Sequence, residues 1–148
     1  MFDRYIEKET IPFCEKNGIG QVVYSPLAQG VLSGKYRTGM QYPEGSRAAN
    51  PDAQAEITVW DYLNEEILSQ IGKLILISEE MGISLSILAL AWILRQYNVS
   101  SALTGASKPW QIEENSKASG LKLPDEVLAK IDKILMPSNY TIKHNIVT

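Results

Sequence analysis

At 148 residues, with 14 lysines and arginines against 17 aspartates and glutamates, the chain is long enough for one ordinary domain with a real core. Its formal charge of −3 argues against a general nucleic-acid surface, and no run of roughly 18 apolar residues is available to span a bilayer. The opening MFDRYIEKE lacks the basic, apolar and small-residue regions of a signal peptide, so a cytoplasmic location without membrane association is expected.

Residues Phe2 to Lys16 place Phe2, Tyr5, Ile6, Phe13 and Cys14 near one helical face, with Pro12 forcing a fresh start or kink. Cys14 has no partner for an intramolecular disulfide and is expected to be a buried core thiol. Gly18 supplies the stop, and Gln21 to Tyr24 then reads as a short β-branched and aromatic strand. Ser25-Pro26 ends it, because Pro26 has no amide hydrogen and biases Ser25 toward an extended conformation. From Lys35 to Trp60 runs a polar loop rich in Gly, Pro, Ser and Asn, long enough to be either a functional lid or disordered.

A helix over Tyr62 to Glu80 carries Leu63, Ile67, Ile71 and Leu74 at helical spacing, and Gly82 ends it. Ser84 can cap the next helix, LSILALAWILRQ, which is apolar on nearly all faces and should be buried with Trp92 as its anchor. Val99 to Leu103 is a second strand, followed by the turn Thr104 to Ser107. A helix from Pro109 to Ala118 should follow, capped by Ser107 or Lys108, and Pro124 opens a last amphipathic helix with Val127, Leu128, Ile131, Ile134 and Leu135 on one face. His144 lies in a polar tail with no metal-ligand spacing around it, so a solvated histidine and no metal site are expected. The alternation indicates α/β units with parallel strands buried on both faces, all in one domain over residues 1–148. Two strands make a poor sheet, so the fold reads as incomplete.

Both strands end in small, polar, glycine-containing turns, Ser25 to Gly30 and Gly105 to Ser107, and in parallel α/β architectures ligands bind at the carboxyl ends of strands. The helix after the second turn offers its unpaired amides and positive dipole end to a phosphate, with Ser107 adding a hydroxyl and Lys108 a charge. Gln111, Glu114 and Asn115 share an arc of that helix and could bracket a ribose or an adenine edge. Gly30 and Gly34 permit close backbone approach, and Lys35 is a mobile cation able to meet a phosphate. By spacing alone the favoured readings are an ordinary capped turn, a solvated helix face and, for Lys35 and Arg47, loop solubility.

At SPLAQGVLSGKY and TGASKPWQIEEN the sequence resembles the aldo-keto reductase superfamily, and more narrowly its bacterial oxidoreductases and the voltage-gated potassium channel β subunits. The similarity extends from FDRYIEKETIPFCEKNGIG through LALAWILRQYNVSSALTGAS to ASGLKLPDEVLAKID. The resemblance implies the C-terminal part of a (β/α)8 TIM barrel holding its seventh and eighth strands, and a family that reduces small-molecule carbonyls by hydride transfer from NADP(H). It further implies that Tyr24, Ser25, Pro26, Leu27, Ala28 and Gln29 wrap the pyrophosphate, with Lys35 and Arg47 reaching from the loop that folds over it. Gly105, Ala106, Ser107 and Gln111 match the site for the adenosine 2′-phosphate, and Glu114 and Asn115 match the pair that holds the adenine.

The family's catalytic Asp, Tyr, Lys and His lie upstream of everything present here, so no catalytic residue is assigned. The chain alone is expected to be inactive, with two unpaired strand edges through which it could self-associate. The alternative is a non-catalytic, nucleotide-binding regulatory module in the manner of the channel β subunits.

Overall fold

A computed structural model describes residues 1–50 and 59–135; part of the long loop, the tail and His144 lie outside the described residues. Among the described residues five helices and two strands follow in the order α1 (Thr10–Lys16), β1 (Gln21–Val23), α2 (Glu65–Glu80), α3 (Leu85–Leu94), β2 (Val99–Ala102), α4 (Pro109–Ser116) and α5 (Asp125–Leu135). Short 3-10 turns cover Tyr5–Glu7, Ala28–Ser33, Arg47–Ala49 and Val59–Tyr62.

Local chemistry explains the helix ends. Asn64 Oδ1 accepts from the Ile67 amide at 2.9 Å, capping α2 behind two acidic first-turn residues that suit the helix dipole. At the other end the Ile83 amide bonds Ser78 O at 3.0 Å and the Gly82 amide bonds Glu79 O at 3.0 Å, the paired bonds of a Schellman cap. Gly82 takes the left-handed conformation this cap demands, φ 67°. Ser84 Oγ then accepts from Ile87 N at 3.3 Å and starts α3, which meets α2 at 91°. Pro12 introduces no kink. It sits in the first turn of α1, where its missing donor is no loss, and the break falls between the Tyr5–Glu7 turn and Thr10.

β1 and β2 pair in parallel, Val22 opposite Ser101 and Val23 opposite Ala102, with a register shift after the Gln21–Val99 pair. The Gln21 amide bonds Asn98 O at 2.7 Å at one end, and the Leu103 amide bonds Val23 O at 2.8 Å at the other. Buried Asn98 also donates from Nδ2 to Ile11 O at 2.9 Å, tying α1 to the start of β2. A Cβ at Gly20 would come within 2.4 Å of Ser100 Oγ, so a larger residue there obliges that exposed serine side chain to turn away.

The core joins Ile67, Ile71 and Leu74 of α2, Leu88 to Trp92 of α3, and Val127, Ile131 and Leu135 of α5 with Val31, Leu32 and Tyr36. These spacings of three and four residues are the apolar stripes expected of α2 and α5. Two expectations are corrected. The strands are not buried on both faces: Val22 is 61% exposed and Ser100 and Ser101 are exposed, because the described helices leave one side of this two-stranded sheet uncovered. Nor is the Phe13 face of α1 part of the core, with Phe13 exposed and Cys14 only half-buried; Ile11 points inward instead. Among the described residues no single helix is long and apolar enough to cross a membrane.

Candidate functional site

Parallel pairing sends both strands out of the sheet at the same edge, so the turns Tyr24 to Gly30 and Leu103 to Lys108 leave side by side. The first is built from left-handed backbone: Ser25 (φ 50°), Ala28 (φ 48°), Gln29 (φ 57°) and Gly30 (φ 91°). For the three residues with a Cβ this conformation costs about 1–3 kcal/mol each, and it persists only where the surroundings over-determine it. The surroundings here are the core contacts of Ala28, Val31 and Leu32, all 5% exposed or less, which press the turn down from below. Hydrogen bonds from the Ala28 amide to Ser25 O at 3.0 Å and from the Gly30 amide to Leu27 O at 2.9 Å close it.

Two cations from the following loop come to this turn. The Lys35 side chain ends beside Gly30, where a Cβ would meet its Cε and Nζ at 3.2 Å, and its ammonium lies 5.2 Å from the centre of the Tyr36 ring. Arg47 Nη1 donates to Gln29 Oε1, and Gln29 Nε2 in turn donates to Ser25 Oγ at 3.3 Å. Tyr36 is 1% exposed and its hydroxyl accepts from the Ala48 amide at 3.3 Å, so the loop is fastened where it returns. Neither Tyr36 nor the Gln29–Arg47 link is legible in the sequence. The partners lie 12 and 18 residues apart, with no periodicity connecting them.

The second turn is a donor cluster. Gln111 Oε1 accepts from the Ser107 amide at 2.8 Å, the Lys108 amide at 3.1 Å and Ser107 Oγ at 3.3 Å. Gln111 therefore performs the reciprocal half of a capping box, with Lys108 at the cap position. Three donors at the first turn of a helix converge on one acceptor oxygen, which is the arrangement that receives a phosphate oxygen. Gly105 and Ala106 are exposed beside it. Glu114 pairs with Lys117 at 2.7 Å, and its carboxyl is held below the usual carboxylate range by the Lys117 bond and by a hydrogen bond from Ser84. Asn115 is half-buried, and its side-chain amide has no hydrogen-bond partner among the described residues.

The structure thus brings Ser25, Gln29, Lys35 and Arg47 into one cluster, and Ser107, Lys108 and Gln111 into another. No hydrogen bond or ion pair among the described residues joins the two. A cleft of about 280 Å³ runs along the open flank of β1, lined by Phe2, Tyr24, Ser25, Pro26, Trp92 and Arg95 among others; Lys35, Arg47 and the α4 residues lie outside it. Tyr24 itself is 70% exposed at the end of β1. Leu27 is half-buried against the core.

The sequence pattern of the Aldo/keto reductase family matches residues 1–136. A putative voltage-gated potassium channel subunit beta of Schizosaccharomyces pombe is 41% identical over 133 residues, covering 88% of this chain and 38% of that protein. An L-glyceraldehyde 3-phosphate reductase of Escherichia coli O157:H7 is 34% identical over 135 residues, covering 90% of this chain and 38% of that protein. Among solved structures, a glycerol dehydrogenase from Gluconobacter oxydans superposes with a TM-score of 0.72 at 28% identity, covering 99% of this chain and 43% of that one. The chain spans about two fifths of the length of these relatives. The expected fold class holds in the same terms: two parallel strands with their helices, matching part of a TIM-barrel reductase, with no closed barrel among the described residues.

Proposed function

The chain belongs to the aldo/keto reductase family, and from that premise we propose that it is the cofactor-gripping portion of an NADP(H)-dependent reductase of aldehydes and ketones. The observation that carries this reading is the delivery of Lys35 and Arg47 onto the left-handed turn at the carboxyl end of β1. Two cations over strained, partly open backbone suit a pyrophosphate, which offers acceptor oxygens and charge but no donors.

The second cluster fits a phosphate monoester. The Ser107 amide, Lys108 amide and Ser107 hydroxyl already converge on an oxygen, and a phosphate oxygen entering there would take the place of Gln111 Oε1. Gln111 would turn outward and Lys108 would supply charge, while Asn115, with its side chain unpartnered, and Glu114 would meet the adenine edge. When bound, the nicotinamide supplies the hydride that reduces a carbonyl. The residues of this chain bind and orient; none is proposed as the proton donor, which must stand within hydrogen-bond reach of a positioned carbonyl. Tyr36 is excluded from that role because its hydroxyl is buried against Ala48. We therefore read the chain by itself as non-catalytic and cytoplasmic, with the carbonyl substrate met by the rest of a longer protein.

A second reading, a regulatory module whose bound nucleotide biases a partner, draws on the 41% identity to the putative channel subunit. Both readings require nucleotide binding. Titration of the folded chain with NADPH, followed by cofactor fluorescence, tests them: saturation is expected, with Lys35→Ala and Arg47→Ala each weakening it about tenfold to a hundredfold. Unchanged affinity in both variants would discard the phosphate assignment. Catalytic oxidation of NADPH by the isolated chain in the presence of an aldehyde would discard the non-catalytic reading.

A further inference from the structure

Two side-chain donors buried beside the cleft on the open flank of β1 have no acceptor among the described residues: Trp92 Nε1, on α3, and Gln21 Nε2, at the start of β1. Trp92 is 3% exposed, so bulk water does not serve it. A buried donor without an acceptor costs its full desolvation, and folded interiors keep few of them. Both residues line the same cleft, whose walls also include the apolar Phe2, Ile11, Leu32 and Val99. Its remaining feature is the free side of β1, whose strand partner among the described residues is β2 alone. An occupant must therefore bring acceptors to two donors on different elements, apolar groups to the walls, and backbone donors and acceptors to the strand. A carboxylate is disfavoured, because Asp3 and Glu7 line the cleft and its cation, Arg95, is engaged by the Trp92 carbonyl and by Glu7. A small carbonyl compound would leave the strand unpaired. An extended polypeptide meets all three demands, with an amide and a carbonyl at each residue and side chains alternating between its faces.

We propose that this cleft seats an extended strand of the aldo/keto reductase portion that the chain does not span, and that Trp92 and Gln21 are the anchors that take its backbone carbonyls. The source of the strand is argued from length and closure. The relatives are matched over only 38% to 43% of their own length, and a closed barrel leaves no strand with a single neighbour. A second copy offers at its own free side only the short strand Gln21–Val23, whereas the cleft follows the chain from Gln21 to Pro26. The proposal does not rest on the nucleotide reading, since neither anchor belongs to the two phosphate clusters.

The test pairs the full 148-residue chain with the Schizosaccharomyces pombe relative from which the 133 matched residues have been removed, the two being produced together. Sedimentation velocity should show a one-to-one complex. In the nitrogen–proton NMR spectrum the Trp92 indole N–H, assigned by its loss in Trp92→Phe, should move downfield as it gains an acceptor, and amide exchange over Val22 to Tyr24 should slow at least about tenfold. Gln21→Leu separates an anchor from a packing residue. Removing a buried donor that lacks an acceptor should raise the urea midpoint of the free chain, yet weaken capture of the partner about tenfold, whereas a packing residue would lose on both counts. Trp92→Phe should weaken capture to a similar degree. Absence of a complex, an unmoved indole signal within it, or capture by Gln21→Leu as tight as by the parent overturns the proposal. The same indole shift on merely concentrating the chain assigns the cleft to a second copy and overturns it as well. Should Trp92→Phe fail to fold, the opposed effects of Gln21→Leu decide alone. No NADPH enters these measurements, so their failure and that of the cofactor reading are told apart.

Discussion

The Arg95 guanidinium carbon lies 3.6 Å from the centre of the Trp92 ring, and Arg95 Nη1 donates to the Trp92 carbonyl at 2.5 Å. Arg4 approaches the same indole at 5.1 Å. Glu7 accepts from Arg4 at 2.6 Å and lies 3.5 Å from Arg95, while Asp132 takes the remaining Arg4 nitrogen at 2.8 Å. One aromatic ring with its ring of charges therefore ties the amino-terminal segment to α3 and α5. Packing density alone would not hold that segment, because only Met1, Phe2 and Ile11 of its first twenty residues are buried.

Replacing Arg95 by alanine should consequently destabilise the chain by about 1–3 kcal/mol, through the lost cation–π contact and the lost cover over Trp92. Burial holds the Arg95 pKa below its ordinary value, although Glu7 opposes the shift, and the group remains charged at neutral pH. Arg95→Lys should recover only part of the loss, because an ammonium cannot stack flat and bond the carbonyl together. Urea unfolding followed by tryptophan emission measures both, and an Arg95→Ala midpoint equal to that of the parent would show the stacking to be energetically idle.

Acid should loosen α4 from α3. The Glu114 carboxyl has a folded-state pKa below its ordinary value, from its bonds to Lys117 and to Ser84. A depressed pKa contributes stability that is present above the unfolded value and lost as pH falls through the folded one. The stability advantage of the parent over Glu114→Gln should thus be constant from pH 7 to about pH 5.5 and shrink as the carboxylate protonates below that. Parallel stability profiles down to pH 3 would show that Glu114 is not the group responsible. Because the pair is solvent-accessible, added salt should also reduce the difference.

The uncovered flank of the sheet should make the chain associate with itself. Val22 is 61% and Tyr24 70% exposed along β1, and among the described residues each strand has a partner on one side only. Such edges template pairing with another chain unless a charge interrupts them. Sedimentation velocity on the parent should show concentration-dependent oligomers, and Val22→Lys should shift the distribution toward monomer without changing the circular dichroism. A monomeric parent at all concentrations tested would mean that this flank is inert in solution.

Much of the fold was legible because its determinants are local. The Ser84 cap, the Gly82 stop, Pro109 at the head of α4 and the period of α5 each involve partners within four residues, whereas the Asn64 cap, which starts α2 at Glu65 rather than at Tyr62, was not read. The turns Ser25 to Gly30 and Gly105 to Ser107 were equally readable, as contiguous stretches at the ends of the two strands. Of the two readings of Pro12 the fresh start holds, since α1 begins at Thr10 with Pro12 in its first turn; the buried Cys14 does not, because helical periodicity predicts a common face but not which face finds a neighbour.

By itself, then, the sequence determined which stretches form helices and strands, that the two strands run parallel, and which residues stand at their carboxyl ends. These follow from backbone valence, capping and side-chain period, which act over a few residues. Only the tertiary structure decided that Ser25, Ala28 and Gln29 adopt left-handed backbone without being glycine, because burial of Ala28, Val31 and Leu32 in the core offsets that strain. It likewise decided that Arg47 meets Gln29 and that Gln111 fills its own donor cluster. Each depends on where a distant backbone or a rotating amide comes to rest, and no spacing rule in the chain encodes that.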